Sequence, residues 1–263
     1  MLDSVERKPE RLTGEVQSLT RGLNILEYVA NCDGAVRLRD VAHAFAIDRS
    51  VALRFLATLE KGGYVDKDPK AKTYSIGVRF EQLGRDGLRK RLLETATPVL
   101  MQLVEQTGQA GHLAILKDGM AVLIEALPST GVVSVRQASG DREPLHASAV
   151  GKALLAFALE EERRELLSRL DYTRLTANTL KDRAALERQL QTIRDVGIAF
   201  DEGEGDLQVN CLAAPILTPT GQTVAAIGLS MVAALHPEGP RQKAEWIRLT
   251  RDAAETIGRL LAA

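Results

Sequence analysis

The sequence predicts an α+β protein of two domains, a winged helix–turn–helix unit joined by a linker helix to a larger C-terminal α/β domain. Three observations carry that reading. Residues 38–59, LRDVAHAFAIDRSVALRFLATL, repeat their apolar positions at three and four on either side of a tight turn, then run into a basic β-ribbon. From Thr95 onward, β-prone runs and amphipathic helical stretches follow one another. Charge is divided unevenly: residues 1–91 carry 17 Lys/Arg and 13 Asp/Glu, a net of +4, and the rest carry 17 and 22, a net of −5. With 263 residues, 45% of them hydrophobic and 26% charged, the chain is long enough for two domains that each bury a core.

Residues 1–15, with Glu6, Arg7, Lys8, Pro9, Glu10 and Arg11, lack the apolar core of a signal peptide and are expected to form a mobile tail. The winged unit then spans 16–77. Its first helix runs through SLTRGLNILEYVAN, with Leu19, Leu23, Ile25, Leu26 and Val29 as the apolar positions. Ser18 or Thr20 is suited to cap it, which sets Arg21 in the first turns, within reach of a phosphate. In the hairpin, the leading helix buries Leu38, Val41, Ala42 and Phe45. The following helix, from about Arg49 to Lys61, buries Ala52, Phe55, Leu56 and Leu59, with Asp48 placed as its N-cap. Small Ala42 and Ala52 let the two axes cross closely. Ala46 stands in the turn where a glycine often sits, and a positive φ there costs an alanine on the order of 1 kcal/mol.

The residues that leave the buried face of the second hairpin helix decide its use. Arg49, Ser50, Val51 and Arg54 point away from the core, as on a helix that enters a DNA major groove. After Gly62 and Gly63, the β-prone segments Tyr64–Lys67 and Thr73–Ile76 flank a turn of Asp, Pro and Lys. That is a wing, with Lys70 and Lys72 at its tip to follow the phosphate backbone. Residues 49–79 hold seven Lys/Arg against three Asp/Glu, an excess that favours phosphate contact and counterion release. A helical hairpin alone need not bind nucleic acid. Hairpin, wing and charge together point to double-stranded DNA.

Residues 78–94 are read as a linker helix, kinked at Gly84 and Gly87, whose Phe80, Leu83, Leu88 and Leu92 suit packing on a second copy or on the chain's own C-terminal domain. The α/β domain, 95–263, opens with the helix TPVLMQLVEQTG, ended by Gly108. Gly111–Leu116 and Met120–Glu125 form a strand pair turning at Lys117, Asp118 and Gly119, and Val132–Gln137 is read as a further strand. A loop, Ser139–Pro144, leads to the helix LHASAVGKALLAFAL. Charged amphipathic helices follow near 160–170 and 182–196. Strands come at Cys211–Leu217 and Val224–Met231, and a last helix runs from about Pro240 to Leu261.

Several residue types invite other readings. Cys32 and Cys211 have no metal-type spacing, and a reducing cytoplasm is the simpler setting. No apolar run reaches the length of a membrane span. His146 beside Ser148 resembles a catalytic pair, but nothing assigns it an orienting acid, so a structural role at the helix start is preferred. Asp201, Glu202, Glu204 and Asp206 cluster, yet an acidic loop broken by glycines is more often solvated than metal-binding, and neither metal nor cofactor is expected. Arg142 is read as a surface residue. Cys211 is open to two roles, inert buried thiol or pocket wall.

Four segments in this order resemble the IclR family of bacterial transcriptional regulators over nearly the whole chain: SLTRGLNILEYVA, the helix–turn–helix with its wing, PLHASAVGKA at 144–153, and GIAFDEGEGDLQVNCLAAPIL. The resemblance implies a GAF-like effector-binding domain, and dimers or tetramers on palindromic operators. It implies an effector pocket for a small organic acid, with backbone amides of Ala149 and Val150 at a helix N-terminus and side chains of Asp201, Val209, Cys211 and Ser230. Free N–H groups and the positive dipole end suit a carboxylate. Gly228 departs from a serine found in characterised acid-binding members; it is expected to widen the pocket and favour a bulkier or aromatic acid. Many relatives with this helix segment repress, so a repressor is expected over an activator. The alternative is an enzyme whose C-terminal domain acts on a small acid; it requires a nucleophile and base in register, and the sequence offers no persuasive pair.

Overall fold

The computed structural model describes residues 16–32 and 34–262, apart from the side chains of Glu81, Arg85 and Asp86. The tail expected over residues 1–15 lies outside the described residues. The chain divides between Arg89 and Lys90 into two compact units.

The first unit holds α1 (Gln17–Asn31), β1 (Val36–Arg37), α2 (Leu38–Ala44), α3 (Arg49–Lys61), β2 (Val65–Asp68) and β3 (Thr73–Ile76). The strands form a small antiparallel sheet in the order β1-β3-β2, with Val36 opposite Tyr74 and Val65 opposite Ile76. Its core joins Ile25, Leu26 and Val29 of α1 to Val41 and Ala42 of α2, Ala52 and Leu56 of α3, and Val65 and Tyr74 of the wing. The helix spacing read from the sequence therefore converges on one core. Three local expectations need correction. Leu19 and Leu23 are 61% and 50% exposed, so the buried stripe of α1 is narrower than its apolar content. Val16 is the N-cap of α1, which puts Ser18 and Thr20 inside the helix; the Thr20 hydroxyl turns back to the Val16 carbonyl. Asp48 stands at the N-cap of α3 without a side-chain cap bond, and its carbonyl accepts from Val51 and Ala52 instead. Ala46 does adopt the left-handed region, with φ 48°.

A single helix, α4, runs from Val78 to Thr107 with Pro98 inside it, where a linker helix and a separate helix after it were expected. Proline removes one backbone donor, but Leu92, Ala96, Leu100 and Leu103 on either side of it are buried in one core. Tertiary burial outweighs local propensity here.

The second unit is built on a six-stranded antiparallel sheet, order β6-β5-β4-β9-β8-β7. Its strands are β4 (Ala110–Lys117), β5 (Met120–Leu127), β6 (Arg142–Glu143), β7 (Ala199–Glu202), β8 (Val209–Leu217) and β9 (Thr223–Val232). One face packs with α4 and α8 (Ala244–Ala262) through Leu100, Leu212, Ile227 and Ile257. The other packs with α5 (Ala149–Ala156) and α7 (Arg183–Val196) through Ala114, Val150, Leu190 and Ala213, and α6 (Glu160–Arg169) adds Leu167. Val132–Gln137 is not a strand. Val132 and Val133 are fully and largely exposed, and the Ser129 N–H bonds the Ser134 hydroxyl in a local loop. Arg142–Glu143 pairs with β5 in the stretch expected to be only loop. Pro240–Gln242 forms a separate turn of 3₁₀ helix before α8.

Candidate functional site

Two surfaces bear on function, one in each unit. In the first, Arg49, Ser50 and Arg54 are exposed along α3, and Val51 is half-buried at the same end. Arg21 of α1 lines a shallow depression together with His43, Ala46, Asp48 and Val51, so it stands beside the start of α3. At the wing tip, one oxygen of Asp68 accepts the N–H groups of Lys70 and Ala71 at 2.8 and 3.0 Å, folding the turn. Lys70 and Lys72 are left exposed, with Lys72 at φ 54°. Lys67, by contrast, lies over the Tyr74 ring at 5.7 Å, and Arg79 donates to the Gly62 carbonyl. The sequence-derived cations therefore occupy the helix start and the wing tip, while neighbouring ones are tied to the fold.

In the second unit, strand register assembles the other residues. Asp201 of β7 is opposite Cys211 of β8, Cys211 is opposite Ser230 of β9, and Ser230 is opposite Ala110 of β4. The next row is Ala213, Gly228 and His112. Both rows lie on the α5 face. Val209 sits half-buried at the start of β8, opposite Val232.

Helix α5 begins with Ser148 as N-cap, its Oγ accepting the Gly151 N–H at 3.1 Å and donating to the Pro144 carbonyl at 2.8 Å. A Cβ on Gly151 would come within 2.9 Å of Ser148 Oγ, Leu145 Cα and the Pro144 oxygen, so this tight start requires glycine. Ala149 and Val150 are its first two residues, whose N–H groups have no acceptor within the helix.

A buried polar network crosses the rows. Ser230 Oγ lies 3.2 Å from Cys211 Sγ, 3.5 Å from His112 Nδ1, and donates to Gln137 Oε1 at 3.1 Å. Gln137 in turn donates to Glu143 at 2.8 Å. Burial drives the protonation states: the Cys211 thiol is pushed well up by burial and by Asp201 and Glu143, the Glu143 carboxyl is raised, and the His112 imidazole falls to about 4 and is neutral. Asp201 is raised to about 7, burial outweighing its bond from the Glu204 N–H and the nearby Lys152 charge. Ser230 also borders a cavity of about 220 Å³ lined by Gly108, Gln109, Val133, Val135 and Leu235.

Gly228 does not open space, contrary to expectation. A Cβ there would stand 2.7 Å from His112 Nε2 and 3.0 Å from the Leu212 carbonyl. The imidazole of His112 takes up the room that the missing side chain leaves.

The four clustered carboxylates disperse to separate partners. Asp201 accepts the Glu204 N–H at 2.7 Å, Glu202 pairs with Arg241, and Asp206 accepts from Gln208. Glu204 meets the ammonium of Lys152 at 2.6 Å, and Lys152 is fully buried. His146 stands against Tyr172 with Nε2 3.1 Å from the Thr173 carbonyl, and Arg142 is an exposed partner of Asp118. Sequence reading missed His112, Gln137, Glu143 and Lys152. A lysine within an otherwise apolar helix turn was the available sign for Lys152; nothing local marked Gln137.

A winged helix–turn–helix unit followed by a separate sheet domain with a recessed polar site is the build of a DNA-binding regulator with a ligand-sensing domain. Residues 18–69 match the IclR helix-turn-helix domain and residues 88–259 the bacterial transcriptional regulator IclR C-terminal domain, so the chain belongs to the IclR family of transcriptional regulators. It is similar to the transcriptional repressor IclR of Escherichia coli, with 34% identity over 221 residues that cover 83% of this chain and 81% of that protein. Among solved structures it is similar to the Thermotoga maritima IclR, with 27% identity, a TM-score of 0.62, and coverage of 95% and 100%. A third likeness is an IclR homolog from Microbacterium hydrocarbonoxydans complexed with 4-hydroxybenzoate, with 26% identity, a TM-score of 0.59, and coverage of 93% and 98%. Among the described residues, no helix is long and apolar enough to cross a membrane.

Proposed function

We propose that this chain is a cytoplasmic repressor that binds a palindromic operator as a homodimer or tetramer and alters its hold on DNA when a small organic acid binds the second unit. In this reading Arg49, Ser50, Val51 and Arg54 meet the major groove, while Arg21, Lys70 and Lys72 meet phosphates. Residues 16–77 read DNA, 78–94 link, and 95–263 sense. The acid sits against the amides of Ala149 and Val150, facing Asp201, Val209, Cys211 and Ser230, with the His112 imidazole rather than the acid over Gly228. The observation that carries the reading is the row Asp201–Cys211–Ser230 laid across three strands on the face of α5. A helix start with unbonded N–H groups suits a carboxylate, and a protonated Asp201 adds a donor. The 4-hydroxybenzoate held by the similar homolog supports an aromatic acid.

Ser230 and His112 do not favour the enzyme reading. Their separation of 3.5 Å is long, and the other ring nitrogen faces Gly228 rather than an orienting carboxylate. The test is fluorescence anisotropy on the DNA upstream of the chain's own gene, with random DNA as competitor and a panel of aliphatic and aromatic acids. Specific, salt-sensitive binding that shifts with one acid supports the proposal. No preference over random DNA, or turnover of the bound acid, counts against it.

A further inference from the structure

Outside the network just described, α6 and α7 line a half-open groove of about 370 Å³ in the second unit. Four arginines line it, Arg163 and Arg164 from α6 and Arg183 and Arg194 from α7, with only two carboxylates, Glu160 and Glu187. Leu167 and Leu190 form an apolar floor.

The pairing is incomplete. Glu160 is shared between Arg163 and Arg164, and Glu187 pairs with Arg183 at 2.8 Å. Among the described residues, Arg194 meets only neutral acceptors, the Gln191 side chain at 2.7 Å and the Ala156 carbonyl at 3.4 Å. The groove therefore carries two more positive charges than negative ones. Arg163 is largely covered, and burial together with the charges of Arg194 and Arg164 holds it below its ordinary pKa. These cations repel one another across a space wide enough for a small anion.

We propose that this groove binds a phosphate group, as free phosphate or as a small phosphate monoester. The guanidinium fork matches phosphate oxygens in pairs, and a surplus of two charges is balanced by a dianion rather than by a monocarboxylate. Arg163 and Arg194 also donate to the carbonyls of Ala158 and Ala156, at and just beyond the C-terminal end of α5. An anion held there lies behind the helix whose other end faces the proposed acid pocket. The phosphate site stands independently of that pocket.

The test is isothermal titration of the full chain with inorganic phosphate and, separately, glycerol 1-phosphate, at ionic strength held constant with sodium chloride. Malonate serves as a dicarboxylate comparison. Arg164 and Arg183 have exposed side chains and no bond to α5, so the double variant Arg164→Gln/Arg183→Gln keeps the fold. The result expected is saturable binding of one or both phosphate probes, weakened at least roughly tenfold in that variant. It should be unchanged in Lys70→Gln/Lys72→Gln, which alters the wing. Binding of the monoester alone identifies an organic phosphate as the source; equal binding of both identifies the free ion. Absence of saturable binding overturns the site, as does a loss confined to the wing variant. Malonate binding as tightly as phosphate overturns the phosphate assignment.

Discussion

His112 and Gly228 share one space: Nε2 of the imidazole lies 2.7 Å from where a Cβ on residue 228 would stand. The two are register partners on β4 and β9, so their side-chain positions rise from the same face of the sheet. Gly228→Ser should thus displace the ring and destabilise the domain by about 1–3 kcal/mol. His112→Ala opens the space, and the double variant should recover much of the loss. A double-mutant cycle in urea checks this; additive effects would mean the two do not compete.

Asp201 makes stability depend on pH. Its carboxyl is raised from 3.8 to about 7, chiefly by burial, so the native state holds a proton that the unfolded state releases. Its contribution is full below about 4 and is lost as pH rises through about 7. Relative to Asp201→Asn, the urea midpoint of the native chain should fall from about pH 4 to about pH 7 and level off above. An acid ligand bound beside it should weaken as pH rises through about 7, since ionised Asp201 repels a carboxylate.

The buried pair Lys152–Glu204 is strongly asymmetric under mutation. Glu204→Leu leaves a fully buried ammonium with only Gln189 as an acceptor, and should cost about 3–5 kcal/mol. Lys152→Met with Glu204→Leu removes both charges and should restore most of that stability. Chemical denaturation of the single and double variants measures it.

At the proposed DNA surface, Arg54→Ala should weaken operator binding roughly tenfold, and Lys70→Ala should lower the salt slope by about one. Anisotropy titrations across a salt series separate the two effects. Unchanged affinity at matched salt would remove Arg54 from the interface.

Ala46 holds φ 48° in the turn between α2 and α3. Ala46→Gly should relieve that strain and stabilise the winged unit by up to about 1 kcal/mol, offset in part by unfolded-state entropy. The thermal midpoint should rise; a fall would mean the turn is not strained.

What the sequence determined by itself was whatever repeats at short range. The spacing of Val41, Ala42, Ala52 and Leu56 marked two helices, and the turn residues around Pro69 marked a wing, because helix and hairpin geometry depend on near neighbours. The exposed cations of α3 were legible for the same reason: a residue off the buried stripe faces outward. Tertiary structure alone decided the continuity of α4 through Pro98, which has buried contacts on both sides of it. It also decided that exposed Val132 and Val133 form no strand, since a strand needs a partner edge that no local pattern supplies. The site followed the same division. Ala149 and Val150 lie in one segment whose helix start is written locally. His112, Gln137 and Ser230 come from three distant segments, and only strand register and loop path bring them within hydrogen-bonding distance.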